Sequence, residues 1–381
     1  MAPLRPKLVA STLSDAQARQ VLHTIGFPGF EDQQQSHQAA QPPATLRTLS
    51  LLQIHFLLTF PFEALAMNYE PGAHMSSDPS DVFSRFVEQR LGGGYCLQVN
   101  PLYRELLSWL GFRHLGVLGR VWSPSAGSWS GLTHTTTLVY MDSHVEGEEG
   151  RKVYYVSDVG YGSSPPRPIL LRDGWEEYGR GLSEKFRLVH RALQPRSTLE
   201  PAPQDDDVDA EIDSIARAQS VWILQQSKHN TWHDCYSFSP HQCFDADYHA
   251  SNRATSHPTA VPFASMILVV RYLLHPPSAA HIQHDALHPA LYPYHPSAIE
   301  QRMVVDDTYI VKLGDETLVS RKIASEEERV GLLKREFGLL SHVDTQAALQ
   351  TISGKPSRLK TTAEKANGTS GSHGSNGTAA H

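Results

Sequence analysis

The stretch Leu91-Gly-Gly-Gly-Tyr-Cys-Leu-Gln-Val-Asn100 joins two segments with helical patterns and contains Cys96, one of three cysteines in the chain. Its three glycines predict the end of the preceding helix, and an amphipathic pattern begins directly after them. A cysteine at the start of a helix faces unpaired N–H groups and the positive end of the helix dipole. Both favour the thiolate, which is the nucleophilic form. The competing interpretation is a small buried apolar residue, so a base and an orienting group must be found elsewhere in the chain.

Composition excludes several classes of protein. The chain has 381 residues and a formal net charge of −7, which argues against a nucleic-acid partner because phosphate contacts need a basic face. Three cysteines cannot build a disulfide framework and favour a reducing compartment. The most apolar runs, 51–62 and 260–274, are shorter than the ~20 residues that a bilayer demands, and the N-terminus shows no signal-peptide pattern. We therefore expect a cytoplasmic protein with neither a membrane nor a nucleic-acid partner.

The hydrophobic pattern predicts an α+β fold in several units. Residues 1–113 are expected to form a helical bundle, in which Asp78 and Pro79 start one helix and Cys96 starts another. Residues 114–215 predict an antiparallel, β-barrel-like domain that ends in an acidic linker at 196–213. Its strands are expected at 114–122, 134–141, 153–157 and 186–193.

The remainder predicts a third unit and a tail. Residues 216–353 are expected to form an α/β lid with a closing helix over 325–340, which opens on the capping-box pattern Ser325-Glu-Glu-Glu. Its strands are expected at 263–273, 301–312 and 316–321. Residues 354–381 are rich in Gly, Ser, Thr, Asn and Lys, a composition that predicts disorder.

A base and an orienting acid are available at the ends of two predicted strands. His134 begins one strand, and Asp158 follows the next strand in Tyr154-Tyr-Val-Ser-Asp-Val-Gly-Tyr-Gly162. Adjacent antiparallel strands place the first residue of one beside the last residue of the other. His134 and Asp158 are therefore expected to be neighbours, and the glycines after Asp158 allow another backbone to approach closely.

Several motifs together resemble the arylamine N-acetyltransferases. These are Gly93-Gly-Tyr-Cys-Leu-Gln-Val-Asn100, Gly131-Leu-Thr-His134, Asp158-Val-Gly-Tyr-Gly162, Pro61-Phe-Glu-Ala-Leu65 and Thr255-Ser-His-Pro-Thr259 followed by Phe263. They occur in the family's order, with unmatched insertions near 142–152, 196–210 and 276–298. The first and third are specific in combination.

The resemblance implies a catalytic triad of Cys96, His134 and Asp158 on a cysteine-protease-like core. Cys96 would take an acetyl or similar short acyl group from acyl-coenzyme A, the co-substrate, and pass it by ping-pong transfer to an arylamine or arylhydrazine, as in xenobiotic metabolism. No cofactor would be bound permanently and no metal is implied. The implied coenzyme A contacts are Ser130, Gly131 and Thr259; the implied acceptor contacts are Thr133, His134 and Tyr161. Tyr161 is also compatible with ordinary core packing.

Two positions depart from the family pattern. Gly92 stands where the family usually has an arginine, and Ala64 stands where it has an asparagine. Their joint absence leaves Glu63 without its expected partners, and Arg90 is the substitute that the sequence offers. An unpaired buried Glu63 would loosen the site.

Other functions remain open at this stage. Within the same fold, the acceptor is an amine of another kind or the acyl group is larger, such as propionyl or malonyl. The chain is alternatively a catalytically impaired relative that serves as a binding module. A metal-binding protein is the third possibility, because histidines and cysteines recur at ligand-like spacing in His233-Asp-Cys235, in His241-Gln-Cys243 and at His275, His281, His284, His288 and His295.

Overall fold

The computed structural model describes residues 5–32, 39–72, 75–194, 219–228, 230–259, 262–275 and 287–359. Among these residues five α-helices precede the first strand, in agreement with the predicted helical N-terminal unit. They are α1 (Asp15–Thr24), α2 (Leu46–Thr59), α3 (Ala66–Tyr69), α4 (Pro79–Phe83, continued by a π-helical turn Ser84–Glu88) and α5 (Cys96–Trp109). Within the described residues, no helix has the length and apolarity needed to cross a bilayer.

Local signals explain where these helices begin. Asp78 caps α4 by accepting the N–H of Ser80 at 2.9 Å, and Pro79 is its first residue, as predicted. Helix α5 begins at Cys96, and its predicted apolar face is buried in the core between the helices and the sheet. The buried residues of that face include Leu97, Leu102, Leu106 and Leu107. The sequence therefore places Cys96 at a helix start that is fixed by core packing.

A nine-stranded antiparallel sheet forms the centre of the molecule and packs on α5 through β1 and β3. Its strands are β1 (Arg113–Ser123), β2 (Ser128–Trp129), β3 (His134–Asp142), β4 (Lys152–Ser157), β5 (Ile169–Leu170), β6 (Glu176–Tyr178), β7 (Lys185–Ala192), β8 (Ser220–Lys228) and β9 (Thr231–Phe238). The order is β5-β4-β3-β1-β9-β8-β7-β6, and β2 pairs with β1. The barrel-like architecture matches the predicted α+β class.

The sheet corrects one predicted boundary. Strands β8 and β9 lie beyond residue 215, where the third unit was expected to begin, yet they pair between β7 and β1 inside the large sheet. Val121 of β1 pairs with Tyr236 of β9, so the connection is made by residues far apart in sequence. Sequence pattern reports local periodicity and carries no information about such a partner. The expected linker at 196–213 lies outside the described residues.

A second, four-stranded sheet and three α-helices follow among the described residues. The strands, in the order β10-β11-β12-β13, are β10 (Leu268–Leu274), β11 (Ile299–Val305), β12 (Thr308–Leu313) and β13 (Glu316–Lys322). The helices are α6 (Asp245–Ser256), α7 (Glu326–Phe337) and α8 (Thr345–Ile352). The segment predicted as one strand over 301–312 is two strands, because Asp306 and Asp307 form a tight turn in which Asp306 has a φ of 51°.

The first residues of the predicted tail are ordered. Residues 354–359 pack on the body, although disorder was expected from residue 354. Lys355 Nζ donates to the carbonyl oxygens of Met67 (2.9 Å) and Asn68 (3.0 Å), and Ser357 accepts a hydrogen bond from Arg329 at 2.9 Å. Polar composition favoured disorder, but the Lys355 side chain satisfies two carbonyl groups of α3, and the Ser357 carbonyl oxygen is bound by Arg329. The rest of the predicted tail lies outside the described residues.

Candidate active site

Close backbone packing fixes the loop before Cys96. A Cβ added at Gly93 would lie 1.9 Å from the Pro61 carbonyl oxygen, so no side chain fits there. Gly94 donates its N–H to Pro61 O at 3.1 Å, which ties the loop to the segment before α3. Cys96 is 5% exposed, and its thiol donates to the Thr133 carbonyl oxygen at 3.6 Å. The candidate nucleophile therefore points toward the chain that leads into β3.

His134 and Asp158 are direct neighbours, as the strand pattern predicted. His134 is the first residue of β3, and Asp158 follows the last residue of β4. Their side chains are 2% and 1% exposed, and His134 Nε2 lies 2.7 Å from Asp158 Oδ2. The Cys96 thiol lies close enough to the imidazole to be a hydrogen-bond partner. The three residues thus form one connected set, with the imidazole in the middle.

The electrostatics favour charged forms of this pair. Burial on its own lowers the pKa of His134, but the adjacent Asp158 carboxylate and Cys96 outweigh it and raise that pKa well above its usual value. Burial would likewise raise the pKa of Asp158. The imidazole and the N–H donors of Gly160 and Asn100 hold that pKa below its usual range instead. An imidazolium beside Cys96 stabilises a thiolate.

Asn100 is a member of the site that sequence reasoning missed. Its side-chain amide donates to Asp158 Oδ1 at 3.1 Å and to the Thr135 carbonyl oxygen at 2.8 Å. Its own oxygen accepts the N–H of Val159 at 3.2 Å. Asn100 follows Cys96 by four residues, so both lie on one face of α5. That spacing was the available signal, and it links the helix of Cys96 to Asp158.

Gly160 allows the segment that follows β4 and contains Asp158 to reach α5. A Cβ at this position would lie 2.5 Å from Cys96 Cα and 2.9 Å from Asn100 Nδ2. The Gly160 N–H donates to Asp158 Oδ1 at 2.8 Å. The predicted close approach of a second backbone after Asp158 is therefore confirmed, and the backbone that approaches is that of Cys96.

Two tyrosine rings hold the imidazole. Tyr161 meets His134 edge-on with ring centroids 5.6 Å apart, and Tyr236 lies nearer, at 4.3 Å. The two tyrosines contact each other at 5.1 Å. Tyr161 was expected here, whereas Tyr236 was missed because it belongs to β9, which the sequence assigned to another unit. The role of Tyr161 in acceptor binding stays a prediction.

The residues implied in coenzyme A binding, and Thr133 from the implied acceptor contacts, lie in two segments at the surface. Ser130, Gly131 and Thr133 precede β3, and the hydroxyls of Ser130 and Thr133 are 2.9 Å apart. Thr259 follows α6 and its hydroxyl lies 2.8 Å from His257 Nδ1. Helix α6 joins the two segments, because Ser251 on α6 donates to the Leu132 carbonyl oxygen at 2.6 Å. Coenzyme A and acceptor contacts at these residues stay predictions.

Arg90, which was expected to partner Glu63 in place of the arginine that the family has at position 92, does not do so in the structure. Arg90 is exposed and has a φ of 54°, whereas Glu63 is 2% exposed. The cation that acts on Glu63 is Arg85, on the π-helical turn after α4. Gly92 has a φ of +117°, where L side chains are strained, and a Cβ there would lie 2.7 Å from Leu339 Cδ2. The backbone at position 92 therefore suits glycine rather than arginine.

The histidines and cysteines considered as metal ligands are dispersed. Among the described residues, no group of three or more His, Cys, Asp or Glu side chains is arranged to hold a metal ion. His275 lies 2.7 Å from Glu300, and His295 accepts the N–H of Ser297 at 3.2 Å. The three cysteines form no disulfide, and Cys235 is buried in the sheet core. His281 and His284 lie outside the described residues.

Comparisons with known proteins agree with this fold. A family model described as N-acetyltransferase matches residues 45–200. The N-malonyltransferase FDB2 of Gibberella moniliformis is 24% identical over 342 residues, which cover 83% of this chain and 86% of that protein. Arylamine N-acetyltransferase 2 of Macaca mulatta is 35% identical over 135 residues, 35% of this chain and 42% of that protein.

The solved structures share the fold of this chain. The arylamine N-acetyltransferase of Mycobacterium marinum in complex with CoA superposes with a TM-score of 0.59 at 19% identity, covering 87% of this chain and 97% of that one. At this identity the likeness concerns the fold, and the family model and the relatives add sequence likeness to it. In sequence over residues 45–200 the chain matches the N-acetyltransferase family model, and in sequence and fold it is similar to the arylamine N-acetyltransferases.

Proposed function

We propose that the protein is an N-acyltransferase that moves a short acyl group from acyl-coenzyme A to an arylamine or arylhydrazine through a thioester on Cys96. The observation that carries the proposal is the connected set of Cys96, His134 and Asp158, with 2.7 Å between His134 Nε2 and Asp158 Oδ2. A thiolate beside an imidazolium is the form of cysteine that attacks a carbonyl carbon. The relatives' names support an acyl transfer to nitrogen.

The first half-reaction acylates the enzyme. The Cys96 thiolate attacks the acyl carbonyl carbon, a carbon–sulfur bond forms, and the bond to the coenzyme A sulfur breaks. The His134 imidazolium gives its proton to the leaving thiolate, so coenzyme A departs as the thiol. The oxyanion needs N–H donors, and the Cys96 backbone N–H at the start of α5 is one.

The second half-reaction returns the enzyme to its starting state. The amine nitrogen attacks the thioester carbonyl, and the neutral His134 accepts a proton from that nitrogen. The bond to Cys96 Sγ then breaks, which gives the amide and restores the thiolate–imidazolium pair. Asp158 keeps the imidazole oriented and compensates its positive charge in both halves. Ping-pong kinetics follow from this sequence.

A malonyl donor is the second candidate beside acetyl. The relative named as an N-malonyltransferase aligns over 83% of this chain, whereas the relative named as an arylamine N-acetyltransferase aligns over 35% of it. The longer alignment favours a donor larger than acetyl, and an amine acceptor is common to both. We also propose a cytoplasmic location, which the free cysteines support.

The test is the acyl-enzyme itself. Brief exposure of the protein to acetyl-, propionyl- or malonyl-coenzyme A without an amine should add one acyl group, which intact mass spectrometry detects and assigns to a donor. Cys96→Ala should abolish the adduct, while the matched controls Cys235→Ala and Cys243→Ala should retain it. An adduct that persists in Cys96→Ala contradicts the mechanism. Wild-type protein that takes no acyl group from any donor supports the impaired, ligand-binding relative instead.

A further inference from the structure

A cavity of about 300 Å³ lies beside β6, one of the two edge strands of the large sheet. Its other walls include residues of two insertions, near 142–152 and 276–298, which the family motifs leave unmatched. The lining residues are His144, Trp175, Glu176, Glu177, Tyr178, Lys185, His288, Leu291 and Tyr292. They include no member of the set around Cys96, so this cavity is a separate feature of the molecule.

Glu177 is the buried acid of the cavity and is 7% exposed. Its Oε1 accepts the indole N–H of Trp175 at 2.8 Å, and its Oε2 accepts the O–H of Tyr292 at 2.5 Å. The Tyr292 oxygen in turn accepts the backbone N–H of Tyr178 at 3.0 Å, which directs the hydroxyl proton toward Glu177. Both carboxyl oxygens therefore act as acceptors, which is the hydrogen-bonding pattern of an ionised carboxylate.

The charge of Glu177 has no cationic partner in the described part of the chain, where no lysine, arginine or histidine forms an ion pair with it. Arg167 lies over the Tyr292 ring, 4.0 Å from its centroid, and donates to backbone carbonyl oxygens. Lys185 is held by Glu176 at 3.0 Å on the exposed rim. Burial raises the pKa of Glu177 despite its two donors, and a cation bound beside it would oppose that shift by favouring the carboxylate.

Aromatic rings form much of the wall around this acid. The rings of Tyr178 and Tyr292 meet edge-on with centroids 6.4 Å apart. The His144 ring meets Trp175 edge-on at 5.6 Å and lies 5.0 Å from the ring of His288. Such walls take up a flat ring by stacking and attract a positive group to their faces.

We propose that this cavity binds a small organic cation, a protonated amine on an aromatic body, with its ammonium group paired to Glu177 and its ring against the aromatic walls. A neutral ligand of the same shape leaves the buried charge unpaired, and an anionic ligand is repelled by it. The volume lies at the lower end of the ~300–1,000 Å³ found for small-molecule sites, which suits a ligand with a single ring.

The test uses the Trp175 indole N–H, which is bonded to Glu177, as a reporter inside the cavity. In protein labelled with ¹⁵N-tryptophan, NMR shows the indole signals of six tryptophans, and Trp175→Phe identifies the one that belongs to position 175. The probes are benzylamine, benzyl alcohol and benzoate, which have similar size and are positive, neutral and negative at pH 7. Benzylamine should shift the Trp175 signal with a Kd at least about tenfold lower than that of benzyl alcohol, and benzoate should bind most weakly.

Two neighbouring acids provide the variant and its matched control. Glu177→Gln keeps the shape of the side chain and removes its charge, so benzylamine and benzyl alcohol should bind with equal affinity. Glu176→Gln removes an acid that is 38% exposed and already paired with Lys185, so the preference for benzylamine should remain. Equal binding of the two probes by wild type overturns the proposal, as does a preference that persists in Glu177→Gln.

A wall residue decides the question if Glu177→Gln does not fold. Tyr178→Leu removes one aromatic ring and should weaken benzylamine binding about threefold or more, whereas an unchanged Kd overturns the proposal. The Trp129 indole, which donates to the Gln194 carbonyl oxygen at 3.0 Å, is the internal control and should not shift. A common shift of all indole signals indicates non-specific binding and overturns the proposal. These measurements need no acyl donor, so they stand apart from the proposed acyl transfer.

Discussion

Two buried carboxyl groups flank the segment that carries Cys96, and they are held in opposite ways. Asp158 is 1% exposed and has an imidazole at 2.7 Å, an amide at 3.1 Å and a backbone N–H at 2.8 Å. Glu63 is 2% exposed and accepts the backbone N–H of Leu65, and no lysine or arginine in the described part of the chain forms an ion pair with it. The pKa of Asp158 is lowered and that of Glu63 is raised, although burial acts upward on both. The partner, rather than the depth, decides which buried acid stays charged.

The largest expected effect is on the rate of acylation when Asp158, the carboxyl group with more partners, is changed. Asp158→Asn should lower the rate of Cys96 acylation by roughly 10³- to 10⁴-fold, because the amide cannot stabilise an imidazolium and favours another imidazole orientation. Rapid-quench intact mass with an acyl-coenzyme A measures that rate, and circular dichroism checks the fold. Asp142→Asn, at the exposed end of β3, is the matched control and should react normally. Normal acylation in Asp158→Asn would remove this residue from the mechanism.

Glu63, the carboxyl group with fewer partners, should make the free energy of unfolding depend on pH. The folded pKa of Glu63, about 7, lies above its ordinary value of 4.5, so its contribution to stability is complete below pH 4.5 and is lost as the pH rises through 7. The loss approaches about 3 kcal/mol at high pH. Urea unfolding at pH 5 and pH 8 should therefore show a larger fall for wild type than for Glu63→Gln. Parallel falls would mean that Glu63 is charged at both pH values.

Asn100 sharpens the comparison, because it is a partner that Glu63 lacks. Asn100→Ala removes a donor from Asp158 and leaves two backbone groups unpaired, which costs about 2 kcal/mol of stability. Acylation should fall by roughly 10- to 100-fold, as for other residues that orient a catalytic group. Asn252→Ala is the control: this buried asparagine bonds Tyr95 and Met75. It should lower stability without the same loss of rate, and equal losses would assign Asn100 a purely structural role.

The smallest effect tests how tightly the Asp158 side is packed. Gly160→Ala places a methyl group 2.5 Å from Cys96 Cα, so one backbone must move, at a cost of about 1–2 kcal/mol. Thermal unfolding measures that cost. Gly331→Ala within α7 is the opposite case, since alanine is the better helix former and should stabilise by up to about 1 kcal/mol. A neutral Gly160→Ala would show that the contact has room to relax.

The sequence predicted the features that depend on local signals. Asp78 and Pro79 mark the start of a helix. The start of β3 and the end of β4 place His134 and Asp158 together. Strand pairing follows from alternation and short connections, so this part of the site was accessible to pattern analysis. Resemblance to the family added the roles of these residues.

What the sequence missed depends on distant pairing and burial. Tyr236 was missed because β9 joins β1 across more than a hundred residues, and no local pattern reports that contact. Arg85 was missed because a charged residue on a short helix has the pattern of an exposed one, and only the fold shows that it acts on Glu63. Arg90 was chosen in its place on sequence proximity alone.

The pairing of β1 with β9 has a consequence for how this chain can be divided. The span matched by the family model, 45–200, contains Cys96, His134 and Asp158, yet it ends before the strand that supplies Tyr236. A fragment of that length would leave one edge of β1 unpaired, and open edges invite association between chains. Expression of such a fragment should yield aggregates rather than a minimal enzyme, so the three residues become a working unit only when the chain has been made as far as β9.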